Sequence, residues 1–389
     1  MLESPLAPLV FGIPRVFENG ILLIGSFMLL LLGAEIFTNG VEWLGHRLGV
    51  SESATGSILA AVGTALPETM IPVIAIINGV LSGDMSAADE VGVGAILGAP
   101  FMLATIAMFL IGVSVIYFGE RRSFGQEFHF NRRSTQRDLR FFLVGYSLAF
   151  VAALVHVREV AIGIGVLLVG LYLTYVYRSL QKGDLIEGEG LEALYLGSVI
   201  QSGREPFESV GVEEEHATDP ERWLVLLQTL FALGIIIGGA HLFVEEVSYF
   251  ATDVLNFPTA ILALLLAPLA TELPEKFNSI IWISRDKDTL AIGNITGAMA
   301  FQGTLPVTLG ILFTSWNLTL EWGTTGFLNA FSAILALVSG GLLLYRARTA
   351  GEGTMRPLPF LIGGAFYLLF ILVTVYHVFV LGISVSGGH

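Results

Sequence analysis

The chain has 389 residues, of which 54% are hydrophobic and only 13% are charged. This composition, with a mean hydropathy of +0.76, excludes an ordinary soluble domain and is typical of a protein with several membrane-spanning helices. The chain lacks cysteine, which excludes disulfides and thiolate metal sites, and it lacks basic patches interleaved with aromatic residues, so we expect no nucleic-acid partner.

Ten apolar segments have the roughly 20 residues that a membrane-spanning helix requires. They lie near residues 19–45, 52–81, 91–118, 138–156, 159–178, 223–251, 256–284, 289–315, 325–346 and 357–383. The first is long enough to span and follows no basic segment, so we expect a retained helix and not a cleaved signal peptide. The sequence therefore predicts an all-α polytopic membrane protein with ten transmembrane helices.

The lysines and arginines predict how these helices are oriented, because such residues collect in cytoplasmic loops. With both termini outside, sixteen of the 19 basic residues fall in or beside the inner loops. Those loops lie near residues 46–51, 119–137, 179–222, 285–288 and 347–356. Arg15 and Arg158 lie outside, Lys276 lies within a span, and the outer loop near 82–90 is acidic. We therefore expect an integral protein of the cell (inner) membrane with residues 179–222 in the cytoplasm.

The chain divides into two halves of five predicted helices each. The first half covers residues 1–178, the second covers 223–389, and an acid-rich linker of residues 179–222 joins them. We interpret the linker as a solvated connector; a regulatory cation site is the second interpretation, although no EF-hand spacing is present. Because each half has an odd number of spans, the second copy would insert upside down. Inverted repeats of this kind place a substrate site in mid-membrane.

Two hexapeptides recur at equivalent positions of the two halves. They are Gly63-Thr64-Ala65-Leu66-Pro67-Glu68 and Ala270-Thr271-Glu272-Leu273-Pro274-Glu275. An ionised acid inside lipid persists only where it faces a cavity and meets a cation, and a proline leaves helical carbonyls without partners. Two broken helices, each with one glutamate after its proline, therefore predict a cation site assembled from both halves.

Pairs of glycines recur in the segments that follow the hexapeptides. Gly94 and Gly98 in the first half correspond to Gly293 and Gly297 in the second. Small residues at this spacing permit close contact between helices, and we expect packing to be their main role. The predicted site helices are then those near 52–81, 91–118, 256–284 and 289–315.

Longer motifs around these residues resemble those of a known family. The first hexapeptide, together with Gly33-Ala34-Glu35, Asn39 to Gly45 and Leu48 to Ser51, resembles the first alpha repeat of the cation/calcium antiporter superfamily, which includes the sodium/calcium exchangers. The second hexapeptide and Gly293-Asn294-Ile295-Thr296-Gly297-Ala298 look like its second repeat. The resemblance implies that Glu68 and Glu275 are the central calcium ligands, assisted by Thr64 and Thr271.

The chemistry of these side chains agrees with the resemblance. Calcium takes six to eight oxygens from carboxylates, carbonyls and waters. Two carboxylates neutralise one calcium ion, and without it they repel each other unless protons or two sodium ions bind. Competition for Glu68 and Glu275 is thus a physical basis for exchange. The structural alternatives are a pair of hydrogen-bonded acids between helices, and threonine hydroxyls bonded to their own helix.

The chain departs from the family pattern where sodium-coupled members carry oxygens in the pocket. Ala65, Ala99 and Ala298 stand where those members usually have serine, and Leu103 and Gln302 stand where they carry an amide or an acid. This loss favours protons over sodium as the exchanged ion, although the Gly-Asn-x-x-Glu motif usual in proton-coupled relatives is absent. Gln302 either supplies one neutral oxygen to the site or bonds to a neighbouring helix.

Other intramembrane polar residues have two interpretations each. Glu272 occupies the position of an expected serine, and Lys276 follows four residues later, so the two can pair on one helix face. The pair is either structural or a built-in cation or proton-linked switch, with Glu272 joining the site when calcium binds. Glu35 and His241 are equivalent residues of the first helix of each half. We favour structural hydrogen bonds for both, with proton coupling as the alternative.

The sequence thus predicts a secondary active antiporter that exchanges calcium for protons or sodium by alternating access around Glu68 and Glu275. The resemblance implies that the first helix of each half slides as a gate. The expected partners are inorganic cations and the lipid bilayer, and no cofactor is required. The alternative is a non-transporting membrane protein that senses cations or scaffolds partners. We expect no enzymatic function, because no nucleophile–base, paired-aspartate or His-Glu-x-x-His spacing is present.

Overall fold

The structure, a computed structural model, describes most of the predicted membrane portion. The described residues are 15–65, 93–155, 157–181, 191–196, 220–249, 272–316 and 318–381, together with Thr69, Ile77 and Leu81. Glu68, Thr271 and most of the linker lie outside them. The division into halves at residues 178 and 223 stays a prediction.

The described residues are almost entirely helical. The helices are α1 (Arg15–Leu48), α2 (Glu52–Ala54), α3 (Val93–Met102), α4 (Met108–Tyr117), α5 (Arg132–Leu154), α6 (Arg158–Leu180), α7 (Arg222–Tyr249), α8 (Leu273–Ser284), α9 (Asp288–Gln302), α10 (Leu305–Phe313), α11 (Thr325–Thr349) and α12 (Leu358–Phe379). One π-helical turn (Thr55–Ala60) follows α2, and another (Leu103–Ala107) joins α3 to α4. A 3-10 turn (Gly351–Gly353) precedes strand β2 (Thr354–Met355), which pairs antiparallel with β1 (Phe128–His129).

Polar residues and prolines set where several helices begin. The side chains of Asn131 and Thr324 each accept a hydrogen bond from the backbone N–H three residues on, which caps α5 and α11. Pro274, Pro306 and Pro359 stand in the first turns of α8, α10 and α12. A missing N–H is tolerated there because the first turn has no helical acceptor for it.

Seven helices in the described ranges are long and apolar enough to cross a membrane. They are Val16–Leu48, Ile96–Tyr117, Arg158–Leu180, Arg222–Phe243, Asp288–Phe313, Thr325–Thr349 and Leu358–Phe379. Each coincides with one of the ten predicted spans. Helix α5 covers a further predicted span, but its first turns are rich in arginine. The spans near 52–81 and 256–284 run into residues outside the described ranges, so the number ten stays a prediction.

The eighth predicted span, near 289–315, is interrupted. Helix α9 ends at Gln302 and α10 begins at Leu305, and Thr304 between them has φ −130° and ψ −71°, outside the helical region. Pro306 lacks the N–H that a continuous helix would bond to the carbonyl of Gln302. The predicted span is therefore long enough to cross a membrane, but it forms two helices in series.

Helix α9 crosses the π-helical turn after α2 at very close range. A methyl group added at Gly297 would lie 2.1 Å from the carbonyl oxygen of Ser57, and one at Gly56 would lie 2.8 Å from that of Leu290. Glycine at these positions lets the two backbones touch. At Gly98 in α3, by contrast, an added methyl group meets no described atom within 4 Å. The packing role predicted for the glycines is therefore seen in α9 but not at Gly98.

The loops predicted on the inner side contact one another at one end of the helices. Arg122 pairs with Asp288, and the β1–β2 ladder joins the loop near 119–137 to the loop near 347–356. Arg47 donates to a carbonyl of the linker, and Arg285 Nη1 lies 3.5 Å from a carboxylate oxygen of Glu192 in the linker. The five loops thus share one side. Their orientation toward the cytoplasm stays a prediction.

The linker segment 191–196 packs against α1 and α7. The indole N–H of Trp43 donates to the carbonyl oxygen of Glu192 at 2.8 Å. Leu194 forms a small buried apolar cluster with Trp43 and Val225. The prediction of a solvated connector is therefore wrong for this segment, because it buries apolar side chains and its backbone is hydrogen-bonded to two helices. The rest of the linker lies outside the described residues.

Tyr195 extends these linker contacts toward α1. Its hydroxyl donates to Glu35 at 2.8 Å, and its backbone N–H donates to Asn39 at 3.3 Å. Gln228 of α7 donates to the same Asn39 amide oxygen at 2.7 Å. Burial, together with the hydrogen bond to Glu35, raises the pKa of Tyr195 to about 12, so the phenol stays a donor at physiological pH.

We expect Gly297→Ala to lower the stability of the protein, because the added methyl group would overlap the Ser57 carbonyl oxygen. Overpacking of this kind costs about 1–3 kcal/mol. Thermal unfolding of the full chain in detergent measures the loss. An unchanged midpoint would contradict the packing role of Gly297.

Candidate cation site

Glu275 lies in the first turn of α8, one residue after Pro274. The residue is 0% exposed, and neither carboxylate oxygen has a hydrogen-bond partner among the described residues. Helix α8 begins only at Leu273, as the proline predicts. A buried carboxylate without a partner is unfavourable unless a cation or a proton reaches it.

Glu272 and Lys276 form a buried ion pair beside Glu275. The Nζ atom of Lys276 lies 3.1 Å from Oε2 of Glu272, and both side chains are 1% exposed. The other oxygen of Glu272, Oε1, has no hydrogen-bond partner in the described ranges. Both members of the pair interact electrostatically with the Glu275 carboxylate. The start of α8 thus gathers two carboxylates and one ammonium group.

Asn294 of α9 joins this turn to the segment after α2. Its amide nitrogen donates to the carbonyl oxygen of Glu275 at 3.0 Å and to the hydroxyl of Ser279 at 3.2 Å. The hydroxyl of Thr64 donates to the carbonyl oxygen of Ala60 at 3.0 Å and lies 3.4 Å from the amide oxygen of Asn294. The Thr64 hydroxyl also lies near enough to the Glu275 carboxylate to act on it electrostatically, although it makes no hydrogen bond to either carboxylate oxygen. Asn294 therefore brings Thr64 and the first turn of α8 together.

Two further buried amides have no hydrogen-bond partner in the part of the chain that the structure describes. They are Asn278, three residues after Glu275 on α8, and Gln302, the last residue of α9; they are 0% and 2% exposed. An amide oxygen is a neutral cation ligand. Gln302 stands two turns beyond Asn294, about 12 Å along α9. It therefore lies at the helix break, and Asn278 lies next to the carboxylates.

The other predicted residues do not join this group in the described ranges. Glu68 and Thr271 lie outside those ranges. Glu35 pairs with Arg285 at the far end of α8, and its role stays a prediction. His241 of α7 has an exposed side chain.

Asp138 of α5 is a buried acid that no motif reveals. Its Oδ2 accepts hydrogen bonds from the hydroxyls of Ser57 at 2.6 Å and Thr296 at 3.0 Å, and its Oδ1 accepts one from Arg137 at 2.9 Å. The carboxylate thus ties α5 to the crossing of α9 and the π-helical turn. An acid within a predicted span was the available signal, but Asp138 is the first residue of that span and resembles a loop residue.

The arrangement around Glu275 offers carboxylate and amide oxygens, which are the ligand types that calcium takes. Within the described ranges, no three His, Cys, Asp or Glu side chains converge as they would around a resident metal ion. The carboxylates and amide oxygens nonetheless leave several buried acceptors without donors. A cation that enters would satisfy these acceptors, and it would need further oxygens from outside the described residues.

Comparisons with known proteins agree with this chemistry. The sequence profile of the family described as Sodium/calcium exchanger protein matches residues 19–181 and 224–379. The Sodium/calcium exchanger MaX1 of Methanosarcina acetivorans is 24% identical over 293 residues, which are 72% of this chain and 79% of that protein. The putative antiporter CaxA of Alkalimonas amylolytica is 22% identical over 354 residues, which are 89% of this chain and 96% of that protein.

Solved structures of the sodium-calcium exchanger NCX_Mj share the fold. The structure soaked with 10 mM Na⁺ and zero Ca²⁺ has a TM-score of 0.65 at 18% identity, over 92% of this chain and 99% of that one. The structure soaked with 100 mM Na⁺ and 10 mM Sr²⁺ has the same score. With the seven membrane-length helices, this fold defines an all-α integral membrane protein. The chain belongs to the sodium/calcium exchanger protein family, which confirms the resemblance of its motifs.

We expect Asp138→Ala to destabilise the protein, because it removes the acceptor shared by Ser57 and Thr296 and leaves Arg137 without its partner. Breaking a buried charged network in this way costs about 3–5 kcal/mol. Thermal unfolding in detergent measures the change. The control is Glu159→Ala, which removes an exposed acid from the first turn of α6 and should shift stability by less than about 0.5 kcal/mol. An unchanged unfolding midpoint for Asp138→Ala would show that the hydrogen bonds of Asp138 do not stabilise the contact between α9 and the π-helical turn.

Proposed function

We propose that the protein is a secondary active antiporter that exchanges calcium for a monovalent cation at a site centred on Glu68 and Glu275. The observation that carries this proposal is the fully buried Glu275 carboxylate, whose oxygens have no partner among the described residues. A divalent cation supplies the missing charge, and calcium prefers oxygens of this kind. The names of MaX1 and NCX_Mj, both sodium/calcium exchangers, support calcium as the transported ion.

The proposed ligands fall into two groups. Glu275 and its counterpart Glu68 neutralise the ion, and Thr64 and Thr271 add hydroxyl oxygens beside them. Glu272 and Gln302 add further oxygens at the edge of the site. The open Oε1 of Glu272 and the unpaired amide of Gln302 support these roles. The ion is cargo, and members of this family need no cofactor.

We propose protons ahead of sodium as the counter-ion. Ala65, Ala298 and Leu103 are fully buried and offer no side-chain oxygen. A sodium ion needs several oxygens to replace its water, whereas a proton needs one carboxylate oxygen. Sodium is the competing ion, because MaX1 and NCX_Mj are named for it.

The packing of α1 supports alternating access. Helices α1 and α7, the first helices of the two proposed halves, lie along each other, and α1 also contacts α8. Sliding of this pair past α8 would open Glu68 and Glu275 to one side of the membrane and then to the other. In the proposed orientation both termini are outside, and the loops that meet at one end are cytoplasmic.

A non-transporting cation sensor is the second candidate, favoured by the same buried alanines. Its site would bind an ion but would lack the ligands that a complete transport cycle requires. Calcium flux separates the two candidates, since a sensor binds calcium without moving it.

We expect Glu68→Gln and Glu275→Gln each to abolish calcium uptake into proteoliposomes. Loss of one buried charge partner corresponds to about 3–5 kcal/mol of ion binding, or more than about 100-fold. Uptake is measured with calcium under a sodium gradient and, separately, under a pH gradient, which also identifies the counter-ion. Glu159→Gln, an exposed acid, is the control and should transport like the parent.

Persistent uptake in either variant would remove that glutamate from the site. Calcium binding by the parent without uptake in either gradient would favour the sensor.

A further inference from the structure

Asn278 lies in the middle of α8, and its side chain is fully buried. Neither the oxygen nor the nitrogen of its amide has a hydrogen-bond partner among the described residues. Ser279, the next residue, donates to the carbonyl oxygen of Ala291 at 3.1 Å. Trp282, one turn further on, donates to Glu42 at 2.8 Å. A buried amide without partners destabilises the folded protein, so packing alone does not explain why an asparagine stands here.

The amide lies one turn of helix from the Glu275 carboxylate. Asn278 follows Glu275 by three residues, which is a rise of about 4.5 Å along α8 and places both side chains on one face. Both oxygens of Glu275 also lack hydrogen-bond partners in the described ranges. Two ligands spaced in this way bind a single metal ion in helical bundles, where a Glu-x-x-His pair supplies a carboxylate and an imidazole. Glu275 and Asn278 thus have the spacing of two ligands of one cation.

The amide also lies on the side of Glu275 that leads to the loops at one end of the helices. Helix α8 begins at the site and ends beside the loop near 285–288, so Asn278 lies between that loop and the carboxylate. Phe277, the residue before it, has its ring centroid 5.5 Å from that of Phe27 in α1. Asn278 is therefore close to the contact between α8 and α1, the helix that we propose to move. An ion that enters from the loops would reach the amide one turn before it reaches Glu275.

We propose that the amide oxygen of Asn278 is a neutral ligand of the transported cation, on the loop side of Glu275. The inference rests on the proposed function. Calcium takes about six to eight oxygens, and an amide supplies one of them without adding charge to a site that already holds carboxylates. The bound ion contacts the amide oxygen, and after the ion leaves the amide has no partner in the described ranges. Asn278 therefore increases the affinity for calcium and lowers the stability of the ion-free protein.

The test measures calcium affinity and the stability of the ion-free protein separately. Calcium binding to the purified full chain in detergent is measured by titration calorimetry, and thermal unfolding is measured with a chelator present. Asn278→Leu keeps the branched shape of the side chain but removes both polar atoms. It should weaken calcium binding about tenfold, as the loss of one bond to a charged partner implies, and it should raise the unfolding midpoint. An asparagine with a purely structural role predicts unchanged calcium binding.

Thr374→Val is the matched control. Thr374 of α12 is fully buried, and its hydroxyl has no hydrogen-bond partner in the described part of the chain. None of the proposed ligands lies on α12. Valine removes this hydroxyl with little change of shape, so the unfolding midpoint should rise as in Asn278→Leu, and calcium binding should match that of the parent. The control thus separates the loss of an unpaired buried group from the loss of a ligand.

Calcium binding as tight in Asn278→Leu as in the parent overturns the inference, whatever the unfolding midpoint does. If leucine is too large for the site and that variant does not fold, Asn278→Ala decides, because it removes the amide without adding volume and must also bind calcium more weakly. Failure of the proposed function looks different, since the parent then binds calcium without moving it under any gradient, and the comparison of calcium affinities still decides the role of Asn278. A parent that binds no calcium overturns both.

Discussion

A buried carboxylate whose oxygens accept no hydrogen bond from the described residues is the constraint on which the rest of this protein depends. Glu275 is fully buried, and its oxygens have no donors among the described residues. Holding an ionised acid in such a place costs several kcal/mol. A cation bound at the proposed site would offset that cost and so stabilise the folded protein. In the proposed exchanger, desolvation would consume part of the gain from ion binding, so that the ion could also leave.

Helix α9, which contacts Glu275 through Asn294, is fixed in place by contacts two and three residues further along the helix. Asn294 bonds to the backbone of Glu275. On the next turn of α9, Thr296 bonds to Asp138, and Gly297 touches the Ser57 backbone. Interactions at the crossing therefore position the amide that supports the site. A flexible ion site needs such a framework, because an ion selects its ligands by distance and number.

The features of the fold and site that could be predicted from sequence are those whose residue pattern has only one or two physical explanations. A proline and an acid inside an apolar run indicate a broken helix with a cation, and the hexapeptides therefore located Glu275 and its neighbours. The buried role of Asp138 was not predicted, because an acid at the end of a membrane span usually lies in a solvated loop. The break before Leu305 was not predicted, because no charged residue accompanies Pro306 there. The packing of residues 191–196 depends on hydrogen bonds between their backbone and helices far away in the sequence, and the amino-acid composition of the linker does not predict such bonds.

Two ion pairs of unequal strength connect α1 to the far end of α8. Glu35 and Arg285 have side chains 34% and 22% exposed, and a pair of this kind contributes about 0–1 kcal/mol. Glu42 is only 4% exposed in its pair with Lys287, and it also accepts a hydrogen bond from Trp282 at 2.8 Å. Separating a buried carboxylate from its partners costs about 3–5 kcal/mol. The contacts at Glu42 therefore resist displacement of α1 against the end of α8 more strongly than the ion pair at Glu35 does.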